Sequence, residues 1–180
     1  MNAHAARVLH SGRMIVRGGP KLSTLLQPVR AKLQSELWQA RLHNASGHMT
    51  TLPTDRPVLI VASWCAFCHQ TLQLLSQHDL LNKVQVVVAL DDGSEVGGKP
   101  ANVKTVKDEE TIFEREMREL HVTLPTNELL YSLPTDSFDH DVSAVPLLLV
   151  HRDGKWQELK GYVPDADVWR QALDGTSQVR

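Results

Sequence analysis

The feature that most limits what this chain can fold into is the run Val58-Leu-Ile-Val-Ala62 ending in Ser63-Trp64-Cys65-Ala66-Phe67-Cys68. Five consecutive aliphatic residues after Pro57 are too few for a helix and fit a strand buried on both faces. From His69 to Leu81 the chain has no Gly or Pro, and Leu72, Leu75 and Leu80 fall on one helical face. A strand therefore runs into a helix, with two cysteines at the junction. At a helix N-terminus the unpaired N–H groups and the macrodipole favour an anion, which favours the thiolate at Cys65. Thiolates are the attacking species in disulfide exchange, and Cys68, one turn on, stands where a resolving thiol is needed.

These are the only two cysteines in 180 residues, so no disulfide framework staples the fold. The hydrophobic share of 42% and charged share of 22% are those of an ordinary globular protein. The first 35 residues hold Arg7, Arg13, Arg17, Lys21, Arg30 and Lys32 and no acid, although the whole chain has a formal charge of −2. Such a start suits a solvated tail, a mitochondrial-type transit segment or an anion-binding arm. No apolar stretch is long enough for a transmembrane helix, and no secretory-type apolar run opens the chain. The expected location is cytoplasmic by default, with an organelle matrix as the alternative left open by the basic start.

Leucines and valines from Leu22 to Leu42 recur at three- and four-residue steps, which predicts one amphipathic helix over about 21–44, bent near Pro28. The turn-rich stretch 45–57 predicts a boundary between an N-terminal extension, 1–55, and a second domain, 56–180. Val84 to Leu90 reads as another buried strand, Asp91 to Pro100 as a turn-rich loop, and Glu109 to Leu120 as an amphipathic helix. In that helix Glu109, Glu110, Glu114, Glu116 and Glu119 beside Arg115 and Arg118 read as a solvated face with no chemistry. Residues 123–142 read as irregular chain. Val145 to Val150, a turn at Asp153-Gly154, and Trp156 to Tyr162 read as a hairpin, followed by a closing helix from Asp165 to Leu173.

Together, Trp64-Cys65-Ala66-Phe67-Cys68 and Ser143-Ala-Val145-Pro146-Leu-Leu-Leu-Val-His-Arg-Asp-Gly-Lys155, with Gly161, resemble the thioredoxin superfamily over about residues 57–175. The resemblance implies an α/β thioredoxin fold, a mixed central sheet flanked by helices, with a helical N-terminal extension and an insertion at about 91–142. It implies a cis Val145–Pro146 bond lying against the dithiol, with Trp64, Val145 and Pro146 contacting substrate. The insertion is similar to that of reductases of the TlpA and ResA type, or of MauD-like proteins. Glutaredoxin is similar too, but its glutathione-binding motifs are replaced here by Ala144-Val145-Pro146 and Lys160-Gly161-Tyr162. One departure concerns mechanism. Thioredoxins keep a buried aspartate six residues before the first cysteine, and here that position is Leu59, so Cys68 must lose its proton to water or to another carboxylate.

The function these features predict is thiol–disulfide exchange, chiefly reduction of protein disulfides, with Cys65 attacking and Cys68 resolving. The expected partners are disulfide-bearing proteins and an unidentified electron donor or acceptor, without nucleic acid, metal or cofactor. The alternatives are a redox-inactive interaction module on the same fold and a Cys/His metal-binding protein. Cys65-Ala-Phe-Cys68-His69 spells the haem-attachment string, but here it caps a buried strand. Zinc would need histidines that are scattered, at His69, His78, His121, His140 and His151.

Overall fold

In a computed structural model the described residues are 21–91, 95–96, 99–100 and 102–174. The elements run α1 (Leu22–Leu25), β1 (Gln27–Pro28), α2 (Ala31–Gln39), β2 (Leu42–His43), β3 (Met49–Thr50), β4 (Val58–Val61), α3 (Ala66–Gln77) and β5 (Gln85–Val88). They continue through β6 (Glu95–Val96), β7 (Lys99–Pro100), α4 (Val106–Glu119), β8 (Leu130–Tyr131), α5 (Ser137–Asp141), β9 (Leu147–Arg152), β10 (Lys155–Lys160) and α6 (Ala166–Asp174). Among the described residues β6 and β7 pair with each other, and the other strands form one sheet in the order β1-β10-β9-β4-β5-β8-β2-β3.

The centre of the sheet is mixed. β4 runs parallel to β5 and antiparallel to β9, and β5 runs parallel to β8. The central strands are unbroken apolar runs at Val58–Val61, 86–88 and 147–150, because helices cover both faces. Leu59, Val61, Val86, Val88, Leu148 and Val150 face one core with α3, α4 and α6. Val58, Ile60, Val87, Leu147 and Leu149 face the other with Leu37 of α2, Phe138 of α5 and Trp156. The alternation expected of a strand survives inside an unbroken hydrophobic run, since successive side chains leave opposite faces.

The hairpin β9–β10 turns at Asp153 and Gly154, both with positive φ (51° and 73°), the geometry whose twist matches that of the flanking strands. Asp165 caps α6 by accepting the Asp167 N–H at 2.9 Å.

Two expectations need correction. The single bent helix over 21–44 is instead a short helix, a strand, a second helix and a second strand. Pro28 lacks an N–H and pushes Gln27 out of helical geometry, so the chain becomes extended there and β1 pairs with the edge of β10. Residues 123–142 are not irregular throughout, because β8 and α5 lie within them. β8 has only two residues, too few to show a period. The N-terminal region enters the sheet at both edges, with β1 beside β10 and β2 beside β8. Its side chains continue the pairing: Gln34 donates to the Trp156 carbonyl at 2.7 Å and accepts the Trp156 N–H at 3.0 Å. The basic residues before Lys21 lie outside the described residues.

Candidate functional site

Strand β4 ends at Val61, and the chain turns through Ala62, Ser63 and Trp64 into α3. Cys65 is the N-cap of that helix, and its sulfur accepts the Cys68 N–H at 3.3 Å. The cap role normally taken by an oxygen is thus taken by the sulfur, which places it at the positive end of the helix. Cys65 is 6% exposed and Cys68 is fully buried, and both are free thiols.

The Val145–Pro146 bond is cis, as the resemblance implied. The Val145 carbonyl lies 3.7 Å from Cys65 Sγ, as acceptor for its S–H. Residues 80 positions apart in sequence therefore meet at one sulfur. Trp64 and Phe67 flank the dithiol and stand out into solvent, 53% and 60% exposed, although large aromatic rings are normally buried. The Trp64 indole N–H donates to the Leu90 carbonyl, which fixes one edge of the ring and leaves its face open. His69 does not point to a ligand: its Nε2 hydrogen-bonds the Ser63 carbonyl. Among the described residues no group of three His, Cys, Asp or Glu side chains is arranged to hold a metal ion.

Burial pushes the Cys68 thiol pKa well above the ordinary range, opposed by the Ala62 backbone N–H, and the neighbouring Cys65 and Asp91 push it further up. Leu59 is fully buried in the same core cluster as both cysteines, so position 59 supplies no carboxylate. A carboxylate reaches the region from another strand. Asp91 follows β5, parallel to β4, and its Oδ1 accepts the Ser63 N–H at 2.9 Å and the Ser63 hydroxyl at 2.6 Å. Glu109 of α4 faces it, and both side chains are fully buried. Burial raises the Asp91 pKa and pushes that of Glu109 up to about 11, with Asp91 itself and Asp139 adding to the second shift.

The expectation that Glu109 belongs to a solvated face is therefore corrected. Val106, Glu109, Phe113 and Met117 are all buried at the spacing of one helical face, so Glu109 sits on the apolar stripe and Glu110 beside it does not. The three- and four-residue spacing of Val106, Glu109, Phe113 and Met117 separates Glu109 from the other four glutamates, although Arg115 and Arg118 stand near all five. Asp91 lies in a turn-rich string, and its signal is its place just past the carboxyl end of the strand parallel to β4, the end of the sheet where α/β sites gather.

The sequence matches no family model and no curated protein. Among solved structures it is similar to MTB DsbF, solved in mixed oxidized and reduced forms, with 15% identity, 78% of this chain and 96% of that one covered, and a TM-score of 0.51. A secreted Mycobacterium tuberculosis disulfide oxidoreductase homologous to E. coli DsbE matches at 15% identity over 78% and 98% of the two chains, with a TM-score of 0.49. A thioredoxin-like protein from Aeropyrum pernix matches at 12% identity over 96% and 99%, also at 0.49. The sheet order, the helix opening at the dithiol, the cis proline and the first of these likenesses agree, and the chain has the thioredoxin fold.

Proposed function

We propose that this protein is a thiol–disulfide oxidoreductase that reduces disulfides in protein substrates, with Cys65 as nucleophile and Cys68 as resolving thiol. The observation that carries the reading is the Cys65 sulfur at the N-terminus of α3, receiving the Cys68 N–H and facing the Val145 carbonyl. A thiolate held there is stabilised by the same N–H groups that an oxygen cap would satisfy. Cys68, one turn on, needs only a short approach to attack a disulfide formed at Cys65.

Trp64, Phe67 and the chain at Val145–Pro146 surround this sulfur, and together they form the surface that receives a substrate. Two exposed aromatic rings next to a reactive group suit an apolar polypeptide segment, since contact removes their faces from water. MTB DsbF, whose structure is similar, is described in mixed oxidized and reduced forms, and a redox-active protein on this fold supports the same chemistry here. The segment at about 91–142, which carries β6–β7, α4, β8 and α5, then stands as the insertion between β5 and the hairpin β9–β10, in the manner of TlpA- and ResA-type reductases.

The test is insulin-disulfide reduction with a supplied dithiol donor, using wild type, Cys65→Ser and Cys68→Ser. Turnover is expected only in wild type, and Cys68→Ser should accumulate covalent adducts through Cys65. Equal activity in all three proteins overturns the reading.

A further inference from the structure

A buried thiol must lose its proton before it can attack a disulfide, and Cys68 has no carboxylate at position 59 to take it. The interior next to it is not apolar throughout. Ser63 follows Ala62, whose N–H faces the Cys68 sulfur, and Ser63 donates two hydrogen bonds to Asp91. Asp91 is held inward by its neighbour. Leu90 adopts a left-handed conformation with φ 58°, rare for a bulky residue, and is fixed by its N–H on Asp139 Oδ1 at 2.8 Å and its carbonyl on Trp64.

Glu109 closes this cluster from α4. It is fully buried against Asp91, and among the described residues no N–H or hydroxyl donates to either of its oxygens. A carboxylate in that position would be costly, and two carboxyls face to face in the interior do not both ionise. The pair therefore carries one proton, donated from Glu109 to Asp91, and titrates as a unit. Among the described residues the titratable groups whose charge bears on the pair are Cys68 of α3 on the Asp91 side, Asp139 of α5, and Asp136 and Tyr131 on the Glu109 side.

We propose that the Asp91–Glu109 pair takes up the Cys68 proton during resolution, with Glu109 a positioning residue that acts through Asp91. This rests on the oxidoreductase reading. The Cys65 thiolate attacks one sulfur of the substrate disulfide R–S–S–R′, forming Cys65–S–S–R and releasing R′S⁻. Cys68 gives its proton to the singly protonated pair, which becomes neutral. The Cys68 thiolate then attacks the Cys65 sulfur, forming the Cys65–Cys68 bond and expelling RS⁻. Two electrons pass to the substrate. The two released thiolates take protons from solvent, and the pair returns its proton to solvent. The timing is built in, because the thiolate charge at Cys65, which resists ionisation of Cys68, disappears once Cys65 enters the mixed disulfide.

The test follows a chromophoric aromatic disulfide by rapid mixing, where the first release of aromatic thiolate reports Cys65 attack and the second reports resolution by Cys68. Asparagine at position 91 can still accept from Ser63 but cannot take a proton. Asp91→Asn should keep the first phase and slow the second about a hundredfold near neutral pH. Its remaining rate should rise with hydroxide instead of levelling off. Glu109→Ala should slow the second phase, and Glu109→Gln, which can still donate to Asp91, should restore most of it. Independently of turnover, infrared spectra of the wild type and of Cys65→Ser should show a protonated buried carboxyl at neutral pH that is absent from Glu109→Gln. A second phase of wild-type rate and pH profile in Asp91→Asn, or no such carboxyl in the wild type, overturns the proposal alone. Absence of both phases in the wild type overturns the oxidoreductase reading and this role with it, even if the carboxyl band is present.

Discussion

Glu109 shows how much depends on where a single ionisable side chain ends up. In the unfolded chain its carboxyl ionises near its ordinary value of 4.5, whereas in the folded protein burial first, then Asp91, holds the proton on up to about 11. Between those limits the unfolded state gives up a proton that the folded state keeps. Stability contributed by neutral Glu109 is therefore full below the ordinary carboxylate range and falls as pH rises, by at most about 1.4 kcal/mol per pH unit. Glutamine mimics the protonated form and does not titrate. Glu109→Gln should flatten the fall in denaturant midpoint between pH 6 and pH 9, and at the upper end it should be more stable than wild type. Parallel pH profiles for the two proteins would contradict this account.

At the scale of elements, each helix near the site is positioned by its first turn. α3 opens on a sulfur cap, so its N-terminus faces the dithiol, whereas α4 opens on a capping box between Thr105 and Asp108 and presents Glu109 immediately afterwards. α6 packs Trp169, fully buried, against the core that contains both cysteines, with the indole N–H on the Val163 carbonyl at 2.8 Å. Asp165 holds its start through the Asp167 and Val168 N–H groups. Asp165→Ala should cost about 1 kcal/mol and lower the melting temperature by about 2–4 °C. The reaction at Cys65 should be unchanged, which the first phase of the rapid-mixing trace would show.

At the scale of the molecule, residues 27–50 supply both edges of the main sheet, and Gln34 ties its amide to the backbone of Trp156. Without them β10 and β8 present unpaired N–H and C=O groups, and the core around Trp156 loses Val29, Leu37 and Leu42. A chain starting at Pro53 should therefore unfold at a markedly lower denaturant concentration than the full chain and should self-associate, as gel filtration would report. An unchanged midpoint would show that the N-terminal segment is a detachable appendage. No helix among the described residues is long and apolar enough to cross a membrane.

The dithiol, the strand that delivers it, the closing hairpin and the fold were legible in the sequence, because they are written in contiguous patterns: an apolar run, a helix without breakers, and an Asp-Gly turn between two strands. The N-terminal strands and β8 were not, because two-residue strands have no period and form only where a longer strand offers an edge. The deepest difference lies in the two carboxylates. By themselves Asp91 and Glu109 are a turn residue and a helix residue, and local rules place both in water. Only the parallel pairing of β4 with β5, and the packing of α4 on the same core, bring them together beneath the dithiol, where removal from water turns two ordinary acids into a pair that holds a proton.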